Sequence, residues 1–151
     1  MSEHESGRDE SLPSALLVWD NSARTSLPLG LRIWLGFLVL TILSSVFFAW
    51  DRVPPRWVLG GFILSHVVVF FLSVREHFTL RRGVVSITHV VCWSPGWVAV
   101  IMDLFARGLG DAYGGWSLVL VLVIAVSFLF DLRDAGTYLQ WLAAGKVPRE
   151  P

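Results

Sequence analysis

Four side chains set in otherwise apolar stretches could do chemistry: His66, His89, Cys92 and Asp103. Three of them share one run, THVVCWSPGWVAVIMD, from Thr88 to Asp103. At 100° per residue, His89, Cys92, Gly96, Ala99, Asp103 and Arg107 fall within about 80° of one another on a helix. The opposite side carries Val, Ile, Trp and Phe. Such a helix has one face that avoids lipid and points into a bundle or a partner. Its middle is interrupted by Ser94-Pro95-Gly96. Pro95 cannot donate to the carbonyl of Val91 and crowds that turn, which predicts a kink. Gly96, on the polar stripe, would let a second helix approach closely.

His66 sits near the middle of another apolar run, WVLGGFILSHVVVFFLSV. Counted along antiparallel helices from a common end, His66 and Cys92 are each about 12 Å deep and His89 about 7.5 Å. The three could converge, given a rotation of the second helix that turns His66 inward. Two imidazoles and a thiolate suit copper or zinc, and two facing histidines could be axial haem ligands. Ionisable residues inside a membrane also mark ion or proton paths. Against these stands a plainer reading: a neutral histidine hydrogen-bonded across helices, and a cysteine acting as a small hydrophobe. The plainer reading carries more weight, so the expected cofactor is none, with copper, zinc or haem as alternatives. His66 also shares its stripe with Phe62, Val69, Phe70, Ser73 and His77, which is not a uniformly polar face.

Asp103 precedes Arg107 by four residues, the favourable order for a helix-surface pair. A cation path entering at Asp103 would meet the opposing charge of Arg107. Asp131 and Asp134 form a D-x-x-D with Arg133 between them. Paired carboxylates can hold Mg²⁺ against a phosphate, but the pattern stands without an extended phosphotransferase motif and reads as a solvated helix end. GxSxG, HExxH, Walker and GxGxxG patterns are absent from the sequence, which leans away from an enzyme.

The elements that must position these residues are membrane helices. The chain is 54% hydrophobic and only 16% charged, too apolar for a soluble domain of 151 residues. Four apolar segments stand out, at about 33–50, 57–74, 84–105 and 112–130. Eighteen helical residues rise about 27 Å, close to the hydrocarbon thickness of a bilayer. Only helices or closed barrels satisfy backbone groups in lipid. Short connections, Asp51–Arg56 with its two prolines and the Gly-rich Arg107–Asp111, make sequential helices antiparallel neighbours. The expected fold class is therefore all-α: a polytopic membrane protein, a four-helix antiparallel transmembrane bundle kinked at Pro95.

Residues 1–30 read as a polar N-terminal tail, largely disordered, with a net charge of −3. Its acidic opening does not resemble a signal peptide. Residues 131–151 read as a short amphipathic interfacial helix and a tail, or as an extension of the fourth span, with Leu132, Ala135, Leu139 and Leu142 at helical spacing. Nine basic residues fall on the N-tail, second loop and C-tail, against Arg52, Arg56 and Arg107 on the other side. That asymmetry predicts both termini in the cytoplasm.

Trp34, Trp50, Trp57 and Trp116 mark span ends, where indoles favour the headgroup level. A formal net charge of zero gives no footprint for nucleic acid, and a single cysteine excludes an intrachain disulfide. The expected partners are the lipid bilayer and a second copy or a larger membrane complex, with small-residue contacts such as Gly61-x-x-x-Ser65 serving the packing. The expected function is a non-enzymatic accessory or structural subunit of the cell membrane. A small transporter or channel for an ion or proton is the alternative, and a metal- or haem-binding membrane protein a weaker one.

Overall fold

The structure, a computed structural model, describes residues 28–74 and 81–144. The expectations for the N-terminal tail, for His77 and for the C-terminal tail lie outside the described residues, apart from Pro28–Gly30. Within them the chain is helical, and four helices are long and apolar enough to cross a membrane. They are α1 (Leu29–Leu43), extended by a 3₁₀ turn over Ser44–Phe47, then α2 (Val53–Val74), α3 (Arg82–Arg107) and α4 (Ala112–Ala143). The physical cause is the run length of apolar residues, which on α1 extend all the way round: Leu40, Leu43 and Phe47 are exposed while Leu38 and Ile42 are buried. A helix apolar on every side belongs in lipid or among other helices.

Two boundaries differ from expectation for identifiable reasons. The prolines of the first connection do not lie in the loop, because α2 already begins at Val53. In a first turn the missing N–H of Pro54 and Pro55 costs nothing, since those donors have no intrahelical partner anyway. Arg56 closes the turn by donating from Nε to Ala49 O (2.7 Å) and from Nη2 to Trp50 O (2.9 Å). At the other end of the chain, α4 runs unbroken through Asp131 to Ala143. Residues 131–143 are therefore an extension of the fourth helix rather than a separate interfacial one. Its 32 residues rise about 48 Å, well beyond a hydrocarbon core of about 30 Å.

α3 is the central helix, packed on α2 along one side and on α4 along the other, while α1 with its 3₁₀ extension is held more lightly, against both α2 and α4. The shared core contains Leu38 and Ile42 of α1, Val58 of α2, Trp93 and Val100 of α3, and Leu120, Ile124 and Phe128 of α4. The α2–α3 interface is a backbone contact made by two glycines. A Cβ on Gly61 would collide with the carbonyl of Cys92, and one on Gly96 would lie 2.8 Å from Val58 Cα. Only glycine permits that approach. On the α4 side the indole of Trp97 donates to Val121 O (3.0 Å) and meets Phe128 edge-on. Trp93 and Trp97, expected on the lipid side, are instead packing residues, and Trp93 is only 5% exposed. An indole that can donate a hydrogen bond inside the bundle gains more there than at a lipid face.

Candidate functional site

The polar side chains within the spans gather at two places, one at each end of α3. The first draws on three helices. On α2, Ser65 is fully buried and its hydroxyl donates to Phe62 O at 2.8 Å. That same hydroxyl accepts from the Trp93 indole N–H of α3 at 2.9 Å. His66, one residue further on, is turned about 100° from Ser65 around the helix. Its Nδ1 lies 2.8 Å from Phe62 O. A carbonyl can only accept, so Nδ1 is the donor in this contact.

On α3, His89 stacks on Trp93 with ring centroids 4.6 Å apart, and its centroid lies 6.5 Å from that of His66. The third helix contributes a residue that the sequence reading had set aside. Asp131 of α4 is not a solvated helix end: its Oδ2 lies 3.6 Å from His89 Nδ1, and its side chain is 17% exposed. The distance suits an ion pair when the imidazole is protonated and is longer than an ordinary hydrogen bond. Two signals in the sequence point to it. Asp131 continues the buried stripe of α4, through Ser117, Leu120, Ile124, Ser127 and Ala135, at spacings of three and four. Counted from the short α3–α4 loop, His89 is 19 residues before Gly108 and Asp131 is 20 residues after Asp111, so an antiparallel pair of helices sets them side by side.

Cys92 does not join the histidines. It is half-buried and lines a groove on the outer side of the α2–α3 seam, together with Gly61 and Pro95. The rotation of α2 is fixed by Val58, Gly61 and Ser65, which face α3. That rotation leaves His66 exposed at the edge of the seam. Among the described residues no three His, Cys, Asp or Glu side chains are grouped closely enough to hold a metal ion. Ser94 of the central break donates to Val90 O within its own helix.

The second gathering is at the α3–α4 loop. Arg107 donates from Nε to Asp103 Oδ1 at 2.9 Å, four residues away. The other carboxylate oxygen of Asp103 is buried and, like the hydroxyls of Tyr113 and Ser117, has no hydrogen bond of ordinary geometry. The Tyr113 hydroxyl lies close to both of these groups. Arg52 reaches across from the α1–α2 connection, its guanidinium 4.2 Å over the Tyr113 ring and 3.4 Å from Asp111 Oδ2. Asp111 also caps α4, accepting from Gly114 N at 2.7 Å. Trp116 donates to Ser44 at 2.8 Å, tying α4 to the end of α1. Arg52, Tyr113 and Ser117 were not picked out from the sequence; their only signal there is proximity to the two short loops.

Between the two gatherings α3 rises about 21 Å from His89 to Asp103. That interval is filled by buried apolar groups, Trp93, Val100, Leu120, Val123 and Ile124. No protein-family model matches the chain, and no curated protein or solved structure matches it either.

Proposed function

We propose that this chain is a non-enzymatic accessory or structural subunit of a cell-membrane assembly, formed with further copies of itself or with other membrane proteins. The observation that supports this reading is how the intramembrane polar groups are used. Trp93 is joined to Ser65 and His89 faces Asp131 across helices, Asp103 holds Arg107 within α3, and an apolar layer separates the two ends of α3. Cross-helix pairs of this kind fix helix rotation, and the layer between the ends interrupts a path. Meanwhile α1 and α2 leave large apolar side chains such as Leu40, Phe47, Ile63 and Phe71 exposed.

The bundle is read as antiparallel, since Gly61 meets Cys92 while Gly96 meets Val58: later residues of α2 oppose earlier residues of α3. The basic-residue asymmetry favours both termini in the cytoplasm. The missing donor at Pro95 favours a bend in α3. The test is reconstitution into liposomes holding a pH-sensitive dye, together with a photo-crosslinking amino acid at Leu40 in cells. A subunit gives no proton flux above empty vesicles and a discrete crosslinked product. Flux above empty vesicles, or crosslinks to lipid alone, would overturn it.

A proton-handling protein is the second reading, favoured by one observation, the sequence of titratable groups His66, His89 and Asp131 on three adjacent helices. It requires flux that His89→Ala abolishes while the protein stays folded.

A further inference from the structure

Arg56 lines two apolar grooves. The larger, of about 590 Å³, runs along the α2–α3 seam and is lined by Arg56, Trp57, Gly60, Leu64, Val91 and Pro95 among others. The smaller, of about 330 Å³, shares Arg56 with it and is lined otherwise by Val46, Ala49 and Trp50. Both are open at the side, where a membrane protein meets lipid. From Val53 to Leu64 the larger groove follows α2 for a rise of about 16 Å. That is roughly half of a hydrocarbon core of about 30 Å, the depth of one leaflet. Gly60 lines it, and a Cβ there would meet nothing within 4 Å.

The guanidinium is held in place but not used up. Its Nε–H and one Nη2–H are committed to Ala49 O and Trp50 O. Of five N–H donors, three remain, and no carboxylate pairs with Arg56 among the described residues. A fixed, uncompensated guanidinium at the mouth of an apolar groove suits a phosphate with a net negative charge. Trp50 and Trp57, both largely exposed on either side of it, are the side chains that favour the headgroup level.

We propose that Arg56 and the two grooves beside it bind one anionic diacyl phospholipid, its phosphate on the guanidinium and one acyl chain in each groove. This goes beyond the subunit role and rests only on the chain lying in a membrane. Two chains leaving one headgroup match two grooves that share one arginine, which a free phosphate or a single transmembrane helix would not.

The experiment is native mass spectrometry of the full chain released from detergent after incubation with equal amounts of dioleoylphosphatidylglycerol and dioleoylphosphatidylcholine. The expected result is one retained phosphatidylglycerol in preference to phosphatidylcholine. Arg56→Gln should weaken that retention about tenfold, the loss of charge-assisted hydrogen bonds to one phosphate. Gly60→Leu should weaken it comparably by filling the larger groove from a position whose Cβ meets nothing within 4 Å. Gly136→Leu, whose Cβ likewise meets nothing within 4 Å but which lies near the opposite end of α4, should leave it unchanged. Equal retention of the two lipids by the unaltered chain would overturn the proposal. So would phosphatidylglycerol retention that survives Gly60→Leu, or that falls as far with Gly136→Leu. Because Arg56 also ties the α1–α2 turn, Gly60→Leu carries the test if Arg56→Gln fails to fold.

Discussion

The two ends of α3 use polar residues in different ways. At the loop end the ion pairs join neighbours in sequence or sit at the rim: Asp103 with Arg107 one turn away, Arg52 with Asp111. Arg107 and Asp111 are each more than half exposed, so each pair is worth little and commits the fold to little. At the other end the partners come from three helices: Ser65 and His66 of α2, Trp93 and His89 of α3, Asp131 of α4. There Ser65 is fully buried, and a buried polar group left without a partner is costly. Satisfying it fixes the rotation of one helix against the next. The loop end fastens connections, whereas the histidine end specifies the bundle.

The largest test of this contrast attacks what brings the histidine end together, the glycine contact between α2 and α3. Gly61→Leu should force α2 away from the Cys92 carbonyl and cost about 3 kcal/mol, the upper part of the range for an overpacked interface. It should also separate Ser65 from Trp93. The measurement is loss of helicity by circular dichroism as SDS is titrated into a mild-detergent sample. Gly60→Leu, on the next residue but facing open space, should leave that transition within about 0.5 kcal/mol of the unaltered chain. If the two variants behave alike, the seam does not depend on backbone contact.

The same contrast explains what could be read in advance. The four spans follow from runs of apolar residues, and the Asp103–Arg107 pair follows from i, i+4 spacing. Both are local. Asp131 was misassigned because its partner, His89, is 42 positions away. Its neighbours Arg133 and Asp134 suggested water, and only its place on the stripe of α4 pointed inward. A meeting of His66, His89 and Cys92 depends on depth along the helices, which counting supplies, and on rotation about them, which it does not. The rotation of α2 is set by Gly61 and Ser65. With those two facing α3, His66 is carried to the edge of the seam, while Cys92 of α3 lines the groove along it. Likewise Pro54 and Pro55 were read as turn-formers, although proline is equally at home in a first helical turn.

Within the histidine end, two contacts can be weighed by double-mutant cycles. Asp131→Ala and His89→Ala, singly and together, should show a coupling of about 1.5 kcal/mol, near the top of what intramembrane polar pairs give. A coupling near zero would mean that the 3.6 Å approach is incidental and would remove the main support for a proton-handling role. Ser65→Ala should cost about 1 kcal/mol, because the Trp93 indole keeps its N–H but loses the acceptor. Adding Trp93→Phe in that background should cost no more than the lost indole packing. A second loss as large as the first in the polar term would show that Trp93 donates elsewhere.

The smallest effect belongs to the loop end, where Asp111 does two jobs that one pair of substitutions can separate. Its Oδ1 caps α4 at Gly114, and its Oδ2 faces Arg52. Asp111→Ala removes both and should cost about 1 kcal/mol, mostly from the cap. Asp111→Asn keeps a capping oxygen while discarding the charge, so it should cost no more than about 0.5 kcal/mol, the usual worth of an exposed ion pair. That remainder should shrink further as salt is raised, since exposed charges are screened over about 8 Å at physiological ionic strength. Should Asp111→Asn prove as damaging as Asp111→Ala, the Arg52–Asp111–Tyr113 arrangement would be holding α4 to the α1–α2 connection by charge. The loop end would then specify the bundle as the histidine end does, and the contrast between them would fail.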